Sequence, residues 1–271
     1  MKTQLEEQQK RINERMGKIR HKIMVMSGKG GVGKTTVSVN LSCALSLMGK
    51  KVGLLDIDLH GPNVAKMLGL EGKKLLSNGK EIEPFEGACG LKVISMAMIL
   101  ERSDEPVIWR GPLKTAAIRQ FLGDVGWGEL DYLIIDSPPG TGDELLSICQ
   151  SITDMDGVVI VTTPQEVATL DSTKAITFAK KLNVPVIGVI ENMSGFICPH
   201  CKKEVSIFGA GGGEKIAYNM GVPFLGKIPL EQEIVNGGDS GKPFILFKDL
   251  TATAHMNEIA KKIIEGGAYV R

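Results

Sequence analysis

The stretch KIMVMSGKGGVGKTT, residues 22–36, runs from an apolar segment through a glycine-rich turn into a helical pattern. Ile23, Met24, Val25 and Met26 do not alternate with polar residues, so they read as a strand covered on both faces. Gly28, Gly30, Gly31 and Gly33 let the backbone N–H groups of the turn, with those of Val32 and Thr36, converge on an anion. The helix that opens at Lys34 adds positive potential at its N-terminus. Within the pattern G-x-x-x-x-G-K-T, Lys34 is expected on the β- and γ-phosphates of ATP and the Thr35 hydroxyl on Mg²⁺. A chance glycine-rich turn would not need this strand before it and this helix after it. A second lysine, Lys29, sits inside the turn. A cation there neutralises transition-state charge if it reaches along the loop or across an interface, and is otherwise a solvated loop lysine.

Outward from this turn, short apolar runs and helical patterns alternate to the C-terminus. The expected fold class is α/β: a mainly parallel, doubly wound sheet with helices on both faces. Residues 22–271 are read as one P-loop domain. Residues 1–21 are read as a charged helical arm, with Leu5, Ile12, Met16 and Ile19 near a heptad seam. The arm is expected to pack weakly on a partner subunit or to stand as a frayed, solvated helix. The net charge of +1 gives no global case for nucleic acid or an acidic membrane face, so neither partner is expected. No apolar leader region and no run of eighteen apolar residues occurs. Five cysteines, an odd number, point to a reducing cytoplasm. Cys43 and Cys149 fall in apolar helical patterns and read as inert core thiols, while Cys89 carries no assigned role.

Three carboxylates follow apolar strands. KKVGLLDID ends in Asp56 and Asp58, which are one residue apart and so expected to point the same way. Asp58 is read as positioning the attacking water and Asp56 as outer-sphere support; the competing reading is a pair of aspartates capping a turn. DYLIIDSPP places Asp136 after four apolar residues, as a ligand to the Mg²⁺ shell. Residues 58–63 and 136–143 are expected to be switch loops, and Asp143 to cap the helix that follows. Asn192 ends a late strand, where its amide matches a donor and an acceptor on adenine, or simply forms a turn. KIPLEQE, residues 227–233 with Pro229, is expected to form the other wall of the base pocket. Trp109 and Arg110 are assigned either to a dimer or client surface or to covering the core.

GFICPHCKK, residues 195–203, contributes Cys198 and Cys201, and no second Cys-x-x-C occurs. A redox pair would need a thioredoxin context. A mononuclear zinc site would have to recruit His200 from between the two cysteines. The third reading gives each of two identical chains half of a four-thiolate site across a twofold axis. Iron–sulfur cluster and zinc both accept such a site.

GKGGVGKTT resembles the deviant Walker A motif of the SIMIBI class. With DIDLHGPN, WRGP, DYLIIDSPPGTGD, ENMSGFICPHC and IFGAGGGEK, the chain resembles the Mrp/ApbC-type iron–sulfur cluster carrier ATPases. The resemblance implies an Mg·ATP-dependent homodimer in which Lys29 reaches the nucleotide of the facing subunit. It further implies a [4Fe–4S] cluster bridged by Cys198 and Cys201 of both chains and handed to apo iron–sulfur clients. Two departures stand out: the extra N-terminal domain of many bacterial members and the N-terminal four-cysteine site of eukaryotic cytosolic relatives are both missing. The alternative function is a positioning ATPase of the MinD/ParA kind with a structural zinc clasp.

Overall fold

The apolar run before the glycine-rich turn forms β1 (Ile19–Ser27), at the centre of an eight-stranded sheet. In this computed structural model, residues 2–59, 61–99, 111–198, 201 and 203–266 are described. In chain order, α1 (Lys2–Met16) precedes β1, and α2 (Lys34–Leu47) leads to β2 (Val52–Asp56) and α3 (Val64–Met67). Short strands β3 (Leu76–Ser77), β4 (Ile82–Glu83) and β5 (Phe85–Glu86) come before β6 (Lys92–Ser95). Then α4 (Gly111–Asp124), β7 (Leu130–Asp136), α5 (Asp143–Ser151), β8 (Gly157–Thr162), α6 (Glu166–Lys181) and β9 (Val186–Glu191) alternate. A small hairpin, β10 (Phe196–Ile197) and β11 (Glu204–Val205), is followed by α7 (Gly212–Met220), β12 (Phe224–Lys227), α8 (Gln232–Asp239) and α9 (Thr251–Glu265).

The sheet order is β12-β9-β8-β1-β7-β2-β6-β5, parallel throughout except for β5 against β6. The expected doubly wound architecture is what forms. On one face Val37, Leu41 and Leu45 of α2 pack with Met256 and Ile259 of α9. On the other, Phe121 of α4, Ile148 of α5, Ile176 of α6 and Ala217 of α7 share a second core layer with Ile12 and Met16 of α1. Register sets up the site: Asp136 lies opposite Val25 on β1 and opposite Asp56 on β2, so the two carboxylates share one sheet face at the C-terminal strand ends.

The N-terminal segment departs from the sequence reading. Strand β1 begins at Ile19, so residues 19–21 belong to the sheet. Helix α1 docks on its own chain: Ile12 and Met16 are buried, a burial worth about 1.5–3 kcal/mol each. Arg119 of α4 donates to Gln8 and Gln9 at 3.0 Å each. Buried Lys22 donates to the Met16 and Ile19 carbonyls and pairs with Asp154, which closes the junction. The seam residues found their partner on α4, a contact that the arm's own charge pattern does not reveal. Asp143 is also corrected: Gly142 takes the N-cap position, and Asp143 is the first helical residue, favourable to the dipole but making no side-chain cap. No helix among the described residues is long and apolar enough to cross a membrane.

Candidate functional site

The turn between β1 and α2 wraps the N-terminus of α2. Gly31 and Gly33 have φ of 79° and 81°, in the left-handed region that side chains disfavour. A Cβ on Gly33 would overlap the Asn192 amide, and one on Gly28 would overlap the backbone of α6 at Asp171. The turn opens onto a cavity of about 650 Å³. Gly30, Gly31, Val32, Gly33, Lys34, Thr35 and Thr36 form its floor, and Asp58, Asn192 and Pro229 stand at its side. Met67, Ile234 and Val235 give it an apolar wall suited to a flat ring. Gly28, Asp56 and Asp136 lie behind the lining rather than in it. Lys29 is half-buried, its carbonyl accepts from Ser27 Oγ at 2.9 Å, and it too is outside the lining of the cavity in its own chain.

Beneath the floor sits a cluster of charge. Lys34 Nζ donates to Asp136 Oδ1 at 2.8 Å and lies 3.7 Å from Asp58 Oδ2. Thr35 Oγ1 donates to Asp136 Oδ2 at 2.8 Å, and Ser38 Oγ donates to Asp136 Oδ1 at 2.7 Å. Asp56 and Asp58 part company, contrary to the expectation that they point alike. Strand β2 stops at Asp56, whose carboxylate is fully buried and accepts from Ser95 Oγ, the Asp58 N–H and the Val64 N–H. Asp56 thus shapes the loop, while Asp58 faces Lys34 and the cavity. Ser38 and Ser95 were not singled out in the sequence. A signal existed for Ser38, one turn from Lys34 on the same helix face, whereas Ser95 meets Asp56 only through the register of β6 on β2.

Burial first, and the charge of Asp136 second, push the Asp56 carboxyl up to about 8. The folded protein therefore holds this proton more tightly than the unfolded chain. The associated stability is fully present below the ordinary carboxylate range and is lost as pH rises through about 8. Calorimetry of the nucleotide-free protein should show the unfolding midpoint falling across that window, and Asp56→Asn should flatten the fall. Parallel curves for the two proteins would refute the assignment.

Asn192 has a structural partner that its place at a strand end does not disclose. It is buried at the cavity wall, and its Nδ2 donates one hydrogen bond to the Val32 carbonyl at 2.9 Å, so the amide also holds the phosphate loop. Strand β9 ends beside the turn, and the Val32 carbonyl needs a donor there.

The Cys-x-x-C segment leaves the sheet after β9. Phe196 pairs with Val205, and Cys198 N–H donates to the Lys203 carbonyl at 3.0 Å, which makes the segment a short hairpin. Leu230 N–H donates to Gly195 and ties its base to the strand β12 side. Cys198 is half-exposed and Cys201 is exposed. Among the described residues no group of three His, Cys, Asp or Glu is placed to hold a metal ion. His200, read as a zinc ligand, lies outside the described residues, as do Pro199, Lys202, His60, Trp109 and Arg110. Soft thiolate donors that a partner can approach suit an iron–sulfur cluster or zinc, whereas the oxygens of Asp136 and Thr35 suit Mg²⁺. Cys89, without a role in the sequence reading, hydrogen-bonds the Cys43 thiol. The contact, with burial, pushes Cys43 up, and it lowers Cys89.

Residues 18–264 match the ParA family in its description as NUBPL iron-transfer P-loop NTPases. An iron-sulfur cluster carrier protein from Methanocaldococcus jannaschii is 56% identical over 261 residues, 96% of this chain and 90% of that protein. A nucleotide-binding protein from Archaeoglobus fulgidus, solved in complex with ADP, is 40% identical with a TM-score of 0.76, covering 86% of this chain and 91% of that one. The septum site-determining protein MinD from Pyrococcus horikoshii, solved with Mg-ADP, is 24% identical with a TM-score of 0.68, covering 92% of this chain and 98% of that one, a likeness of fold.

Proposed function

The chain belongs to the ParA family of NUBPL iron-transfer P-loop NTPases, and from that premise we propose that it is an Mg·ATP-dependent iron–sulfur cluster carrier. Two copies would share a [4Fe–4S] cargo between their Cys198 and Cys201 thiolates and pass it to apo-proteins in the cytoplasm. The observation that carries this reading is a pair of thiols on a hairpin, Cys198 half-exposed and Cys201 exposed, with no group of three potential metal ligands among the described residues. Two thiolates are half of the four that a cluster usually takes. A second copy supplies the other half by symmetry.

The chemistry beside the strand end from which the hairpin departs follows from the P-loop. Phosphate oxygens accept from the N–H groups of residues 30–35, at the positive end of α2. Lys34 exchanges its Asp136 contact for the β- and γ-phosphates. Thr35 and Asp136 would hold Mg²⁺, which when bound offsets phosphate charge. Asp58, at the cavity wall, orients the attacking water and can take its proton. Lys29, outside the lining of its own cavity, reaches the facing nucleotide and stabilises charge on the transferred group.

Anaerobic loading with iron and sulfide, with oligomer mass measured alongside, tests the proposal. Wild type should bind about four irons per two chains and run as a dimer. Cys198→Ser and Cys201→Ser should each lose the iron and the brown colour while keeping nucleotide affinity. A wild-type protein that stays monomeric with nucleotide and iron both supplied would overturn the reading.

A further inference from the structure

Glu191 ends β9, and its side chain is only 1% exposed. Three donors converge on it. Oε1 accepts from Ser194 Oγ at 2.5 Å and from Gly211 N–H at 3.0 Å, and Oε2 accepts from Gly213 N–H at 2.5 Å. Ser194 opens the excursion that carries Cys198 and Cys201. Gly211 closes it at the N-cap of α7, and Gly213 lies in the first turn of that helix. A single carboxylate therefore fixes both ends of the thiol-bearing loop. The approach is close enough that a Cβ on Gly213 would press on Glu191 Cβ at 2.9 Å.

The neighbouring residue does the same for the nucleotide. Asn192 grips the Val32 carbonyl of the phosphate loop, against a glycine that leaves room for nothing larger. Between these two side chains runs one peptide unit, held by Asn192 N–H on the Thr162 carbonyl and by Ile228 N–H on the Glu191 carbonyl. A shift of the phosphate loop on binding nucleotide would pull on Asn192 through this bond. Because the peptide between them is held on both sides, such a motion would reach Glu191 as a shift of the unit and not as a local backbone adjustment.

We propose that Glu191 is a positioning residue that transmits occupancy of the nucleotide cavity to the spacing of Cys198 and Cys201. The inference rests on the carrier reading and adds to it the physical link between the two sites. The carboxylate is needed because both of its oxygens accept: glutamine would turn an NH₂ donor toward at least one of the three donors it must receive.

The test uses the full chain, loaded anaerobically with iron and sulfide. The readout is the rate at which an iron chelator extracts the metal, with and without Mg and a non-hydrolysable ATP analogue. In wild type, nucleotide should change that rate by about fivefold or more. Glu191→Gln should load the cluster and bind the analogue within about twofold of wild type, yet lose most of the nucleotide effect on extraction. Ser194→Ala, which removes one donor and leaves the helix cap, should lose part of the effect, and Glu191→Asp should retain more than the glutamine. A glutamine variant that keeps the full nucleotide effect overturns the inference. So does one that loses loading and nucleotide binding together, which marks a purely structural role. A loaded wild type indifferent to nucleotide overturns the link alone, whereas a wild type that takes up no cluster overturns the carrier reading beneath it.

Discussion

Lys34→Ala should abolish nucleotide binding and destabilise the empty protein. Lys34 is nearly buried, and its ammonium is the positive charge among three carboxylates: it contacts Asp136, lies 3.7 Å from Asp58, and opposes the upward shift of Asp56. Removing one partner of a buried ion pair leaves the other charged and desolvated, at a cost of about 3–5 kcal/mol. For a chain of this size that corresponds to a fall of roughly 10 °C in the unfolding midpoint. Protonation of Asp56 relieves part of the repulsion, so the fall should be smaller at low pH than at pH 8. Hydrolysis should drop by about 10³-fold or more, because the cation that opposes charge on the transferred phosphoryl is gone. Lys34→Arg separates the two effects. A guanidinium keeps the charge and much of the stability, but its planar fork does not match a site built for a point charge, so hydrolysis stays low. Calorimetry and phosphate release measure both. An alanine variant with unchanged midpoint and unchanged Mg·ATP affinity would show that the cluster is not organised around this lysine.

What the sequence disclosed and what it withheld divide along local and long-range lines. The turn at residues 28–36 was legible because its chemistry is contiguous: strand, glycines, lysine and hydroxyl occupy consecutive positions. Asp136 was legible because apolar residues lead directly into it. The docking of α1 was not, since Ile12 and Met16 meet Phe121 and its neighbours more than a hundred residues away. Asn192 shows the same limit. Its place at a strand end was clear, but its bond to the Val32 carbonyl depends on two strand ends meeting. The split of Asp56 from Asp58 turned on where β2 stops, and a strand boundary is the feature a residue pattern specifies least. Ser95 joined the cluster through register, which no local pattern of β6 encodes. Glu191 reads in sequence as an acidic residue after an apolar run. Only the return of the chain at Gly211 makes it a staple.

The placement of Lys29 leads to the other large effect, and mixing two variants reads it out. Lys29 lies outside the lining of its own cavity, while Asp58 lies within it. If Lys29 acts on the facing nucleotide, the two residues that complete one site come from different chains. Lys29→Ala and Asp58→Ala should each lower hydrolysis by about 10³-fold, the lysine by removing an arginine-finger-like charge. Their equal mixture should then recover. Random pairing makes half of the dimers mixed. In each mixed dimer one site draws an intact Asp58 from one chain and an intact Lys29 from the other, and the second site lacks both. The mixture should therefore show about a quarter of wild-type activity per chain, far above either variant alone. If Lys29 served its own nucleotide, every site in the mixture would lack one of the two groups and no activity would return. Phosphate release, measured after the subunits are allowed to exchange without nucleotide, distinguishes the outcomes by orders of magnitude. Recovery also requires that the chains pair face to face through their P-loops, the arrangement the carrier proposal needs if both hairpin thiol pairs are to meet at one cluster, so a silent mixture would remove the symmetry on which the proposed four-thiolate site depends.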